Sequence, residues 1–383
     1  MSRFLDGGID TVLVENLTCL AADTRFHITL AIGMQYDELE VYRSRLPQNV
    51  HVVHLVDKPY LTKWKKKKLT GRLPFYVKAY DEVLLNPIRR HLMQTRIDAL
   101  VEQSDVVVDF DFCAYAFLRH VTKPKIGFLH FSLAQLCRND PSRIRKIKRN
   151  IACYNHVVTI SKAMYEEACH AFPSMQDRLC MIYNAINTDE LFRKAEDAEA
   201  DNRLALPYIL CVGRLDETPK DVTTLIKAYG LLRSEYGHQE ELYVVGKGCS
   251  LKQLQEQAVA SGVAEHVHFL GFSSNPYPWM KHCRLFVQSS KFEGLPTTMI
   301  EALLLDKDIV ATDCPTGPKE ILNNGKAGLL TPVGDEQTMA KVMHEALTNK
   351  ALRQEIAKGR AIHKREFTFE CTKKKLYQLL ASR

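Results

Sequence analysis

Short apolar runs rich in β-branched residues alternate along the whole chain with longer stretches of helical period, the pattern of parallel sheets wrapped by helices. In the first half this predicts strands at 27–33, 50–56, 106–111, 125–131, 156–161 and 179–183. In the second half it predicts strands at 208–213, 242–246, 266–270, 284–288, 309–312 and 328–331. Each half therefore reads as a doubly wound α/β domain of its own. The polar stretch 193–203 is the candidate linker, which places the first domain at 1–195 and the second at 196–366. Residues 367–383 read as an amphipathic terminal helix. Gly7 and Gly8, followed by Ile9, Val12, Leu13, Asn16 and Leu17, look like a phosphate-approach turn opening a helix. Such turns follow a buried strand. The six residues before Gly7 are too few and too polar for a central one, so a first strand is expected to be missing.

Length and composition narrow this picture. At 383 residues the chain exceeds the size at which one core usually keeps growing, and 46% hydrophobic with 25% charged residues is ordinary for a soluble globular protein. The start shows no secretory h-region, and no run of about eighteen apolar residues follows, so a cytoplasmic protein is expected. Eleven cysteines lie singly without metal-ligand spacing, which suggests reduced, mostly buried thiols. The formal charge of +7 is unevenly placed: residues 1–195 hold 28 Lys and Arg against 21 Asp and Glu, while residues 196–383 hold 24 against 24. Much of the excess sits in Lys63, Lys65, Lys66, Lys67 and Lys68 around Trp64, and in Arg143, Arg145, Lys146, Lys148 and Arg149. An anionic membrane surface or phosphorylated acceptor would suit that half; solvated faces are the plainer alternative. No nucleic-acid module is recognisable, so nucleic acid is not expected as a partner.

The segment most informative about chemistry is 289–305, where a strand gives way to Gly294-Leu295-Pro296 and then a helix. Free N–H groups of Thr297, Thr298 and Met299 would form an anion site backed by the helix dipole. Glu293 lies before that helix and Glu301 about one turn inside it, two carboxylates flanking a phosphate-binding helix start. The plain alternative makes Glu301 a dipole-stabilising acid and Glu293 a loop carboxylate. Residues 208–214 form a buried strand ending in Gly213 and Arg214, with Lys220 in the loop beyond, so both cations can meet a diphosphate at the carboxyl end of the sheet. Gly246-Lys247-Gly248 is a weak glycine signal, short of a dinucleotide fingerprint. Asp313-Cys314-Pro315-Thr316-Gly317-Pro318-Lys319-Glu320 is another strand-to-helix turn at the same edge.

Taken in order, these segments resemble the family 4 glycosyltransferases, among them bacterial enzymes that build lipopolysaccharide or other surface glycans. The resemblance rests on VGRL at 212–215, VVGKG at 244–248, HFLGF at 268–272, the Glu-x7-Glu element Glu293–Glu301, DCPTGPKEIL at 313–322 and GLLTPVGD at 328–335, and more loosely on Gly7-Gly8, DVVVDFD at 105–111 and KIGFLHFSL at 125–133. It implies a GT-B fold: two Rossmann-like domains facing a central cleft, with the helix 367–383 crossing back to the first. It also implies retaining transfer of a hexose or N-acetylhexosamine from a nucleotide sugar, UDP-linked above others, to a glycan or glycolipid acceptor without metal or other cofactor. By the same resemblance Arg214 and Lys220 neutralise the diphosphate, Glu301 binds the ribose, and Glu293 with Gly294, Leu295 and Pro296 holds the sugar. Phe269, Leu270, Gly271, Phe272 and Ser273 line the base, Gly7 and Gly8 approach the phosphates, and His130 stands beside sugar and acceptor. The interval from Arg214 to Lys220 is one residue longer than the common pattern. His130 could equally be a strand-end histidine bonded to backbone, and Asp109 and Asp111 could be capping residues. Two other functions stay open: a GT-B nucleotide-sugar epimerase, and a catalytically silent nucleotide- or glycan-binding protein.

Overall fold

The computed structural model describes residues 1–5, 7–134, 140–197 and 202–381. The chain divides into two compact units. The first comprises Met1–Ile160, Tyr165–Ile182 and the chain from Lys373 onward; the second comprises Ser161–Met164 and Tyr183–Thr372. The division thus falls ahead of the polar stretch 193–203. That stretch opens inside the helix Thr188–Glu196, whose Asn187 cap accepts from Glu190 N at 3.2 Å, and its residues 198–201 lie outside the described residues.

In the first unit β1 (Ile28–Ile32) pairs in parallel with β2 (Val50–His54), and β3 (Val107–Asp109), β4 (Lys125–Leu129), β5 (His156–Thr159) and β6 (Leu179–Met181) form a parallel sheet in that order. Residues 1–4 occupy the place expected to lack a strand. Gly33 N donates to Met1 O at 2.9 Å, the Met1 ammonium donates to Ala31 O at 3.0 Å, and Ser2 N reaches Asp111 beyond β3 at 2.7 Å. Phe4 is fully buried in a cluster with Val12, Leu30, Phe110 and Phe128, so apolar burial anchors this short segment where ladder bonds are few. Leu376, from the terminal helix Phe369–Ala381, joins the same cluster.

The second unit holds one six-stranded parallel sheet: β7 (Tyr208–Val212), β8 (Glu241–Val245), β9 (Val267–Gly271), β10 (Leu285–Gln288), β11 (Ile309–Thr312) and β12 (Leu329–Thr331). Their spatial order is β12-β11-β10-β7-β8-β9. All five residues of β7, and all four of β10 and of β11, are buried, as strands covered on both faces must be. Helices Val222–Ser234 and Glu336–Thr348 pack Leu225, Tyr229, Leu232, Met339 and Met343 against them in one continuous core. The chain starts at β7, adds β8 and β9 on one side, then returns to add β10, β11 and β12 on the other. The order therefore reverses between β7 and β10, and a crevice opens outside the carboxyl ends of these two strands.

Candidate active site

Gly213 and Arg214 emerge from β7 at that reversal. The ladder continues past the strands, with Gly213 N donating to Val245 O and Leu215 N to Lys247 O, each at 3.0 Å. The two loops run so close that a Cβ on Gly246 would sit 1.8 Å from Gly213 O, and one on Gly248 2.1 Å from Leu215 O. The Gly246-Lys247-Gly248 signal is thus a requirement of backbone approach. Arg214 is exposed and has no hydrogen bond or ion pair among the described residues.

After Arg214 the chain turns through the short helix Glu217–Lys220, capped by Asp216, and then Asp221 at φ +47. This left-handed residue ends the short helix just after Lys220 and serves as N-cap of the helix Val222–Ser234. The Lys220 Cε lies 3.6 Å from where a Gly213 Cβ would be, and its Nζ donates to Glu293 Oε1 at 2.6 Å. Gln288 Nε2 and Ser290 Oγ donate to the same oxygen, also at 2.6 Å. All three bonds converge on Oε1; among the described residues Oε2 takes none, and it is the oxygen available to a ligand hydroxyl.

The Glu293 turn is itself clamped. Thr316 Oγ1 donates to Glu293 O, and Thr316 holds φ +63, a conformation that costs a β-branched residue energy. Next to it Gly317, at φ +80, lies so near that a Cβ would come within 2.7 Å of both Gly294 O and Pro296 Cδ. Glycine alone lets the turn 313–320 close against Gly294–Pro296. Leu295 is buried beneath them.

Pro296 is the N-cap of the helix Thr297–Leu304, at ψ 112, with no side-chain cap. Met299 N consequently donates to Pro296 O at 3.1 Å, so the anion site retains the N–H groups of Thr297 and Thr298 but not that of Met299. Thr298 Oγ1 reaches Gln288 Oε1 at 3.4 Å. Glu301 is buried, 4% exposed, and accepts from Tyr277 OH at 3.3 Å. On the far side β9 ends in Phe269, Leu270 and Gly271, whose carbonyl accepts from Gly246 N at 2.8 Å, and Lys247 Nζ stands 4.7 Å from the ring centre of the exposed Phe272. Gln288, Ser290, Tyr277 and Thr316 were missed from sequence. A polar residue closing an otherwise apolar buried strand was the only available signal, and only for Gln288.

Gly7, Gly8 and His130 belong to the first unit. Gly7 caps the helix Gly8–Ala21 and its N–H donates to Asp10 Oδ2 at 2.8 Å, while a Cβ on Gly8 would meet nothing within 4 Å. His130 shows its plain alternative: it is buried, and its Nε2–H donates to Phe110 O at 2.7 Å, leaving Nδ1 as the ring acceptor. Burial lowers its pKa to about 4. With an unfolded value near 6.5, its contribution to stability is full above about pH 6.5 and is lost as pH falls toward 4, about 3 kcal/mol in all. In His130→Gln, the loss of stability between pH 7 and pH 4.5, read from urea midpoints, should be smaller than in the parent; equal losses would contradict this. Asp109 accepts from Tyr154 OH at 2.5 Å and Ala114 N at 2.9 Å, and Asp111 from Ser2, so both act as turn and segment anchors. Burial pushes the Asp109 carboxyl above the usual range. Trp64, within the lysine cluster, is half-buried and packs against Val56, Leu61 and Leu85.

Residues 192–361 match the glycosyl transferases group 1 family. The chain is 31% identical over 194 residues, 51% of each chain, to the N-acetylgalactosamine-N,N'-diacetylbacillosaminyl-diphospho-undecaprenol 4-alpha-N-acetylgalactosaminyltransferase of Campylobacter jejuni. It is 24% identical over 270 residues, 67% of this chain and 70% of the relative, to the lipopolysaccharide 1,6-galactosyltransferase of Salmonella typhimurium. For the Campylobacter relative, as for the lipopolysaccharide core biosynthesis glycosyltransferase LpsE of Rhizobium meliloti, the chain spans about half the relative's length. Anabaena HepE, solved with UDP-glucose, superposes over 100% of this chain and 98% of its own, with a TM-score of 0.78 and 18% identity. The fold class is therefore GT-B, α/β with two Rossmann-like units.

Proposed function

We propose, because residues 192–361 match the glycosyl transferases group 1 family, that the protein is a retaining hexosyltransferase that draws on a UDP-sugar and glycosylates a lipopolysaccharide or related glycan acceptor. The observation that carries this reading is the convergence at the β7–β10 reversal of Arg214, Lys220, Glu293, Glu301 and an uncapped helix start. The diphosphate would lie on the N–H groups of Thr297 and Thr298, with Arg214 and Lys220 supplying positive charge. Glu293 Oε2 would take a sugar hydroxyl and Glu301 the ribose. As the bond from the anomeric carbon to the diphosphate breaks, the acceptor oxygen adds to that carbon from the same face and its proton passes to the departing phosphate oxygen. The protein's work is stabilising that leaving group and orienting the sugar.

No helix among the described residues is long and apolar enough to cross a membrane. An acceptor carried on a lipid would meet the protein at the inner face of the cytoplasmic membrane, through the first unit's Lys63–Lys68 region. Incubating the chain with a panel of nucleotide sugars tests the reading: slow donor hydrolysis, or transfer when acceptor is added, supports it. Isomerised nucleotide sugar would make it an epimerase, and binding without turnover a silent binding protein. Turnover should persist in excess chelator, since Arg214 and Lys220 supply the charge a metal would bring; loss restored by manganese or magnesium would overturn that part.

A further inference from the structure

The first unit carries an apolar surface that the described residues leave exposed. The helix Phe75–Tyr80 runs into a π-helical turn, Asp81–Leu85, and on into the helix Asn86–Glu102. The wide turn sits where it does because Pro87 has no N–H and its ring would strike the carbonyl of Val83 in a regular helix. It has a consequence for the faces. Residues four apart drift about 40° per step on a helix of 3.6 residues per turn, and a π turn takes up that drift. One series stays inward: Asp81, Leu85 and Arg89 are buried, with Arg89 paired to Asp81 and its Nε donating to Leu61 O at 2.8 Å. The neighbouring series stays outward: Tyr76 is 73% exposed, Tyr80 48%, Leu84 56% and Ile88 45%, with Phe75 at 86% and Val83 at 69% beside it.

The partner helix, Pro59–Thr70, is bound to this one through Leu61 and Trp64 in a shared cluster with Leu85 and Leu92, and through Lys65, which reaches Asp81 at 2.9 Å and Glu82 at 2.8 Å. Lys66 pairs with Asp37. Those two lysines are thus spent inside the unit. Lys63 and Lys68 remain exposed, and across residues 58–80 there are eight Lys and Arg and no Asp or Glu. A helical hairpin that joins an outward stripe of tyrosine, phenylalanine and aliphatic residues to a net positive flank has two halves of one recognition problem. The stripe suits the interfacial layer of a bilayer, and the flank suits anionic headgroups.

We propose that the hairpin 59–88 docks on an anionic lipid bilayer, with Phe75, Tyr76, Val83 and Leu84 entering the headgroup layer and Lys63 and Lys68 above it. This deepens the acceptor reading by assigning the apolar half of the contact to a segment outside the lysine cluster, yet it stands without the donor site. The test is co-sedimentation of the full chain with phosphatidylcholine vesicles, with and without a quarter phosphatidylglycerol. The parent should bind the anionic vesicles. Phe75→Ser with Tyr76→Ser should weaken binding about tenfold or more, and Lys63→Glu with Lys68→Glu by a similar factor that shrinks as salt is raised. UDP affinity, measured in parallel, should be unchanged in both variants; its absence in the parent would count against the donor site and leave this surface standing. Parent protein that ignores anionic vesicles at low salt, or a serine variant that binds as the parent does, would overturn the proposal. So would a dimer in light scattering that the serine variant dissolves, because the stripe would then be covered by a second copy.

Discussion

Arg214→Ala should lower turnover of the nucleotide sugar by about two to three orders of magnitude, the loss typical when one donor to a developing negative charge is removed. Its melting temperature should stay near the parent's, because the Arg214 side chain is exposed and makes no hydrogen bond or ion pair among the described residues. Glu301→Ala should behave differently, although both residues were read from the sequence as open to the crevice. Glu301 is buried and takes the Tyr277 hydroxyl. Its removal should weaken UDP binding by about 1.5–3 kcal/mol and also destabilise the second unit by about 1–3 kcal/mol, as Tyr277 loses its acceptor. Calorimetry with UDP, steady-state turnover and thermal melts on the two variants separate these effects. Unchanged affinity and unchanged turnover in both would remove the proposed donor site.

Gly246→Ala should be among the most damaging single-methyl changes in the chain. Gly246 holds φ +151, and its Cβ would stand 1.8 Å from the carbonyl oxygen of Gly213, backbone that cannot step aside without parting β7 from β8. Overpacking and backbone strain together should cost about 3 kcal/mol or more, a large share of the roughly 5–15 kcal/mol that holds a domain folded. Gly262→Ala is the matched control. Gly262 also has positive φ, +69, but a Cβ there meets nothing within 4 Å, so its cost should be the 1–2 kcal/mol of a left-handed alanine. Denaturant melts of the two variants at equal loss would show that the approach of the two loops is softer than the geometry implies.

The strands were legible because burial on both faces writes itself as continuous apolar runs, and observed limits such as Tyr208–Val212 and Leu285–Gln288 fall within one or two residues of the pattern. The donor-side residues were legible for a local reason: Glu293, Pro296 and Glu301 sit in one short strand–turn–helix passage. What the pattern did not carry are contacts made across the fold. Thr316 holds the Glu293 carbonyl from 23 residues away and Tyr277 reaches Glu301 across 24, and neither hydroxyl differs in sequence from a surface one. That Trp64 turns toward apolar neighbours is not legible from a sequence in which lysines surround it. In the fold the aliphatic stems of a lysine-rich helix leave its apolar face inward, and Lys63 Nζ lies 5.1 Å from the indole centre. The exposed stripe Tyr76–Ile88 needed the π turn to come into register, and periodicity counted at 3.6 residues blurs it.

The central claim is that the donor binds outside the carboxyl ends of β7 and β10 in the second unit. Amide hydrogen exchange of the intact chain with and without saturating UDP tests it most directly, because bound ligand protects the backbone it touches. Protection should concentrate at 213–220, 269–273 and 294–301, with the N–H groups of Thr297 and Thr298 slowed most and Met299, already bonded to Pro296, changed least. Protection confined to other segments, or UDP binding that leaves these three at their free rates, would contradict the account.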